Sequence, residues 1–157
     1  MPNYKGHVIG GLVVYAVFFY LVARAWAPSH ITAGEWLFFT LAGALFPDID
    51  VKSRGQKYFY HFVFLFFILL AVRGQFHLLI CCSFIIITPM LVRHRGIFHS
   101  PRFLIAMPLV VWLCASMVMP HYRKIFFYDA LFFIMGALSH ITLDFGLRQT
   151  LYRLLRR

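Results

Sequence analysis

The sequence predicts an all-α fold: a polytopic membrane helical bundle of about six transmembrane helices with both termini on the cytoplasmic side. Three observations carry that expectation. Hydrophobic residues make up 62% of the 157-residue chain and charged residues only 13%, far from the roughly 45–50% and about 25% of a soluble domain. The apolar residues fall into long runs separated by short polar stretches. The formal net charge of +10 is carried mostly by those stretches, as membrane topology signals are. A soluble basic domain that binds nucleic acid could not hide such runs, so no nucleic-acid partner is expected.

The runs follow one another from Val8 to Trp26, Gly34 to Phe46, Tyr58 to Val72, Phe76 to Val92, Phe103 to Met119 and Phe126 to Phe145. The first ends in Ala25-Trp26-Ala27, which mimics a signal-peptide cleavage site, but Pro28 directly after it should block cleavage and keep the helix. Several runs fall short of the roughly 20 residues that cross a bilayer core, so some helix ends should lie below the headgroups and need buried partners. Small residues cluster at Gly6/Gly10/Gly11, Ala42/Gly43/Ala44 and Gly136/Ala137, where helices could approach closely. No repeat or Ser/Gly-rich linker divides the chain, which reads as one integral membrane domain over residues 1–157 with a short basic tail from about residue 147. In that tail Leu147, Leu151, Leu154 and Leu155 alternate with arginines, a pattern suited to an anionic inner leaflet. Cys81, Cys82 and Cys114 sit inside apolar runs and read as small hydrophobes.

Orientation follows from Lys and Arg counts on alternate sides of the six runs. Lys5, Lys52, Arg54, Lys57, Arg93, Arg95, Arg102, Arg148, Arg153, Arg156 and Arg157 fall on one side; Arg24, Arg73, Arg123 and Lys124 fall on the other. The richer side is expected to be cytoplasmic, as in a bacterial inner membrane.

Only five carboxylates occur in the chain, so their placement is informative. Asp48 and Asp50 lie in "FPDID" at the inner end of the second run, and Asp144 lies in "SHITLDF" at the inner end of the sixth. His7 opens the first run from inside, and His94 and His99 lie in the inner loop "RHRGIFHS". Four motifs distant in sequence thus arrive at one depth, a result the charge count did not presuppose. His140 and Asp144 are one helical turn apart on one face. Asp48 and Asp50 flank Ile49, and a bend at Gly96 lets both loop histidines fold toward one centre. The candidate metal ligands are therefore His7, Asp48, Asp50, His94, His99, His140 and Asp144. Imidazole and carboxylate donors suit zinc first, with manganese or iron as alternatives. Seven candidates exceed one tetrahedral ion, which leaves one or two ions open and slightly favours two. His61, a turn into the third run, reads as packed rather than ligating; Ser100 reads as a helix cap.

In the order "GH…PDID…HRGIFHS…SHITLDF" the chain resembles the YdjM-type, LexA-regulated inner-membrane family of metal-dependent hydrolases. The likeness runs from His7 to Asp144. It implies a helical inner-membrane protein with a metal site, and the seven candidate ligands match the family's polar motif positions. The chain departs from the family pattern at Val51, where a histidine often follows "PDID", and at Phe98, where threonine is common.

The expected activity is metal-dependent hydrolysis at the cytoplasmic membrane surface. Arg95 is expected to grip an anionic substrate group through its planar fork, and Asp50 to act as general base if it does not ligate. Eleven basic residues on that side point to a phospholipid or another lipid-linked phosphoester, with membrane lipids and anionic headgroups as the partners. Two rival readings are a non-enzymatic module in which metal staples short helices together, and, less favoured, a metal or proton transporter, for which the fourth and fifth runs offer few polar residues.

Overall fold

The computed structural model describes residues 3–49, 54–72, 74, 76, 79, 80, 83 and 97–155. Its elements are α1 (Tyr4–Ala23), α2 (His30–Leu45), α3 (Arg54–Val72), α4 (Pro101–Val118), α5 (Arg123–Phe145) and α6 (Leu147–Leu155), with 3-10 turns at Phe46–Asp48, Ile97–His99 and Pro120–Tyr122. No strand occurs among the described residues. Among the described residues three stretches are long and apolar enough to cross a membrane: Tyr4–Ala23, Pro101–Val118 and Pro120–Phe145. At 16 residues, α2 is shorter. The run expected from Phe76 to Val92 lies mostly outside the described residues.

Helix ends extend past the apolar runs because capping chemistry, not hydropathy, sets them. Asn3 Oδ1 accepts from Gly6 N at the start of α1, and Ser29 Oγ accepts from Thr32 N at the start of α2, satisfying amide groups that have no partner within the helix. Pro101 occupies the first turn of α4, where its missing N–H costs nothing. Ser100 stands at the cap position before it, yet its side chain makes no cap hydrogen bond. Gly146 at φ 80° ends α5 and turns the chain into α6, a left-handed backbone that glycine adopts without steric cost.

The centre of the bundle is α5, which packs against α1, α2, α4 and α6. Half of its spanning stretch is buried, against 11% for α1, whose Ile9, Leu12, Val13, Val17 and Leu21 are exposed. An exposed apolar stripe of that kind is what lipid contact requires. Trp36 stacks on Phe132 with ring centroids 4.7 Å apart, and the residues eight further along each helix, Ala44 and His140, are hydrogen-bonded. Helices α2 and α5 therefore run parallel.

Their crossing is made at two glycines. A Cβ on Gly43 would sit inside the van der Waals envelope of the Phe133 carbonyl, and one on Gly136 would collide with the Thr40 carbonyl. On the other side of α2, a Cβ at Gly11 would meet the Ala44 Cβ at 3.0 Å, so α1 closes on the same point. The small-residue clusters in three separate runs are the surfaces of one three-helix junction.

At the far end of the bundle Trp26 and Tyr128 close over the buried Trp36, with Lys124 Nζ 4.5 Å from the centre of the Trp26 ring. Trp112 Nε1 donates to the Arg123 carbonyl at 3.0 Å. Amphipathic aromatic and basic groups of this kind suit a membrane–water interface.

Gly136→Val is expected to lower the melting temperature in detergent, because overpacking typically costs about 1–3 kcal/mol. Gly34→Ala, with nothing within 4 Å of the added carbon, should leave it unchanged. Equal melting of the two variants would mean the crossing is not tight.

Candidate metal centre

The start of α1, the end of α2, the start of α4 and the end of α5 meet at one end of the bundle. Each brings polar residues. His7 comes from the first turn of α1, Asp48 closes the 3-10 turn after α2, His99 closes the turn before α4, and His140 and Asp144 occupy successive turns of α5. Three of these residues are locked by an apolar neighbour in sequence: Ile49 beside Asp48, Phe98 beside His99 and Ile141 beside His140 all belong to one buried cluster. Phe98 is 2% exposed and packs edge-on against Phe46 and Phe103. It anchors the turn that presents His99.

The donor atoms converge. His140 Nε2 lies 3.4 Å from Asp144 Oδ2 and 3.5 Å from Asp48 Oδ1, and His99 Nε2 lies 3.6 Å from the same Asp48 oxygen. One donor atom from each of these four residues lies within 4.8 Å of all the others. Such separations exceed the roughly 2.7–2.9 Å of a charge-assisted hydrogen bond. They match the edges of a coordination polyhedron: bonds of about 2.0–2.1 Å separated by an angle of roughly 110–125° span this distance. His140 Nε2 and both Asp144 oxygens are buried and accept or donate no hydrogen bond among the described residues. Buried polar atoms without partners are costly, and a divalent ion there would satisfy His140 Nε2 and one Asp144 oxygen. The residues present fit a metal.

The orientation of His140 has a visible cause. Its Nδ1 pairs with the Ala44 carbonyl at 2.8 Å; as the donor, Nδ1 leaves the Nε2 lone pair facing the cluster, the arrangement by which outer partners fix metal-ligating histidines. His7 stacks on His140, with ring centroids 3.8 Å apart and an interplanar angle of 14°, and its Nε2 lies 3.6 Å from Asp144 Oδ1.

The side chains of His99, His140 and Asp144 are at most 2% exposed, whereas that of Asp48 is 30% exposed. Partial burial raises the Asp48 carboxyl, but the neighbouring His140 and His99 rings outweigh it and hold the group well below the usual carboxylate range. Asp48 is thus an ionised donor on the side of the cluster that meets solvent.

Of the seven expected ligands the structure brings five together: His7, Asp48, His99, His140 and Asp144. Asp50 and His94, like Arg95, lie outside the described residues. His61, expected to be packed, is instead exposed, and its Nδ1 pairs with the Lys57 carbonyl of its own helix. Residue-type reasoning missed Ala44, whose contribution is a main-chain carbonyl. The only sign of it in the sequence is the small-residue cluster that lets α5 approach.

Because histidines ligate only when neutral, zinc affinity should fall as the pH is lowered from about 7.5 to about 5.5, with protons released on binding. Calorimetric titrations in buffers of different ionisation heat measure both. Affinity unchanged over that interval would mean the histidines are not ligands.

Residues 1–149 match the model of the YdjM inner membrane protein family. No curated protein and no solved structure matches the chain. The family match takes in the junction of small residues and every motif of the cluster, from His7 to Asp144. With 149 of 157 residues inside it, the chain belongs to the YdjM inner membrane protein family.

Proposed function

We propose that this protein is a metal-dependent hydrolase whose centre works at the cytoplasmic face of the inner membrane on a phospholipid or another lipid-linked phosphoester. The observation that carries the reading is the uneven burial of the four donors: three are sealed inside the bundle, and Asp48 alone is partly open. A wholly structural ion would favour a closed shell, whereas a catalytic one keeps a position accessible. An ion bound there supplies a Lewis acid and lowers the pKa of water to about 7.

The chain's own residues do the rest. The Ala44 carbonyl holds His140 in register, Phe98 and Ile49 fix the turns of His99 and Asp48, and the opening at Asp48 admits the substrate. Lys5, Arg102 and Arg148 are exposed next to the elements that carry the site, and they favour an anionic headgroup. The charge asymmetry of the sequence supports the cytoplasmic placement. In this scheme Arg95 binds the phosphoester and Asp50 takes up a proton.

A second reading draws on the same geometry: the four donors come from three separate elements, so an ion would also pin α2, α4 and α5 together. The two readings differ in one experiment. Protein reconstituted in phospholipid vesicles with zinc or manganese should release phosphate or headgroup, and chelation should stop it. His99→Ala and Asp48→Asn should reduce the rate by more than the roughly 10–100-fold typical of losing an outer partner. Hydrolysis that survives chelation and both substitutions contradicts the enzyme reading. Lower melting temperatures in both variants, with no hydrolysis by the native protein, support the pinning role instead.

A further inference from the structure

His7 is left over by the four-residue centre. It stands in another helix, yet its side chain is as deeply buried as that of His99, at 2% exposed, and it approaches the second oxygen of Asp144. Asp144 presents its two oxygens to two different histidines: Oδ2 to His140 Nε2 at 3.4 Å and Oδ1 to His7 Nε2 at 3.6 Å. Neither oxygen takes part in a hydrogen bond among the described residues.

We propose that His7 and Asp144 Oδ1 form the fixed part of a second divalent-cation subsite, with Asp144 as a carboxylate bridge between two ions. This rests on the four-residue centre being a metal site. The distance from His7 Nε2 to Asp144 Oδ1 exceeds the length of a charge-assisted hydrogen bond and equals the spacing within the first set, so it leaves the same room for an ion. The two imidazoles lie nearly parallel with centroids 3.8 Å apart, and each Nε2 faces its own carboxylate oxygen. Rings stacked in that way aim at two points separated by about the ring spacing, which falls in the roughly 3.5–4 Å range of two-metal sites. A histidine meant only to orient Asp144 would instead close to hydrogen-bonding distance.

The position is held from both sides. Gly11, one helical turn after His7, packs on Ala44, whose carbonyl holds His140, so the junction that sets one imidazole also sets the other. The chemistry of the subsite, one imidazole and one carboxylate oxygen, suits manganese or zinc.

The test is electron paramagnetic resonance and elemental analysis of the full-length protein saturated with manganese alone. The native protein should hold two ions per chain with a spin-coupled signal. His7→Ala and the more conservative His7→Asn should each hold one ion with an isolated-ion signal, and the loss of coupling should not depend on any activity assay. A native protein that saturates at one ion with an isolated signal overturns the second subsite while leaving the four-residue centre in place; so do His7 variants that retain two coupled ions. A native protein that binds no ion overturns the metal centre and this subsite together.

Discussion

Because neither Gly43 nor Gly136 carries a side chain, the backbones of α2 and α5 come into direct contact, and the remaining geometry follows from how close that contact is. A parallel crossing this tight brings the Ala44 carbonyl within 2.8 Å of His140 Nδ1. That bond turns Nε2 toward Asp144 and Asp48. A side chain at either glycine would move α5 away from α2 by more than the slack in a hydrogen bond, so the site would lose its orientation before it lost its ligands. The third helix of the junction, α1, closes on the same point through Gly11 and delivers His7 to the face of His140.

Electrostatics explain why these residues are tolerated in a lipid-facing chain. An ionised side chain at membrane depth costs roughly 2.5–3.5 kcal/mol on insertion scales, and the cluster holds two aspartates. One divalent ion set against two carboxylates and two neutral imidazoles would leave the four-residue centre without net charge. The ionised donors would then cease to be a burden on the bundle, with the partly exposed Asp48 as the link to solvent. The opposite end of the bundle solves a simpler problem, with indole rings and basic side chains placed where an apolar body and a wet tip both find company.

The helical class, the family and the convergence of the motifs were legible because each leaves a mark in residue type: apolar runs, the spacing of His140 and Asp144, and polar motifs at alternate run ends. The small-residue clusters showed where helices could touch. They did not show that three of them form a single junction, since a glycine in a membrane helix is also tolerated without any close contact. Helix starts were read several residues late because lipid preference excludes Lys5, His30, Arg54 and Arg123, whereas backbone hydrogen bonding includes them. Ala44 was invisible, because a carbonyl is common to every residue. Phe98 was noted as a departure from the family pattern, but its role as the anchor of the His99 turn emerges only from its packing on Phe46 and Phe103.

The central claim is that the α2–α5 junction presents histidine nitrogens and aspartate oxygens to an ion, and X-ray absorption spectroscopy of the zinc-loaded protein tests it most directly. The predicted spectrum has a first shell of nitrogen and oxygen at about 2.0–2.1 Å, with no sulfur near 2.3 Å. Outer-shell scattering from imidazole rings should accompany it and weaken in His140→Ala. A sulfur-containing shell, or a spectrum with no imidazole scattering, would contradict the account.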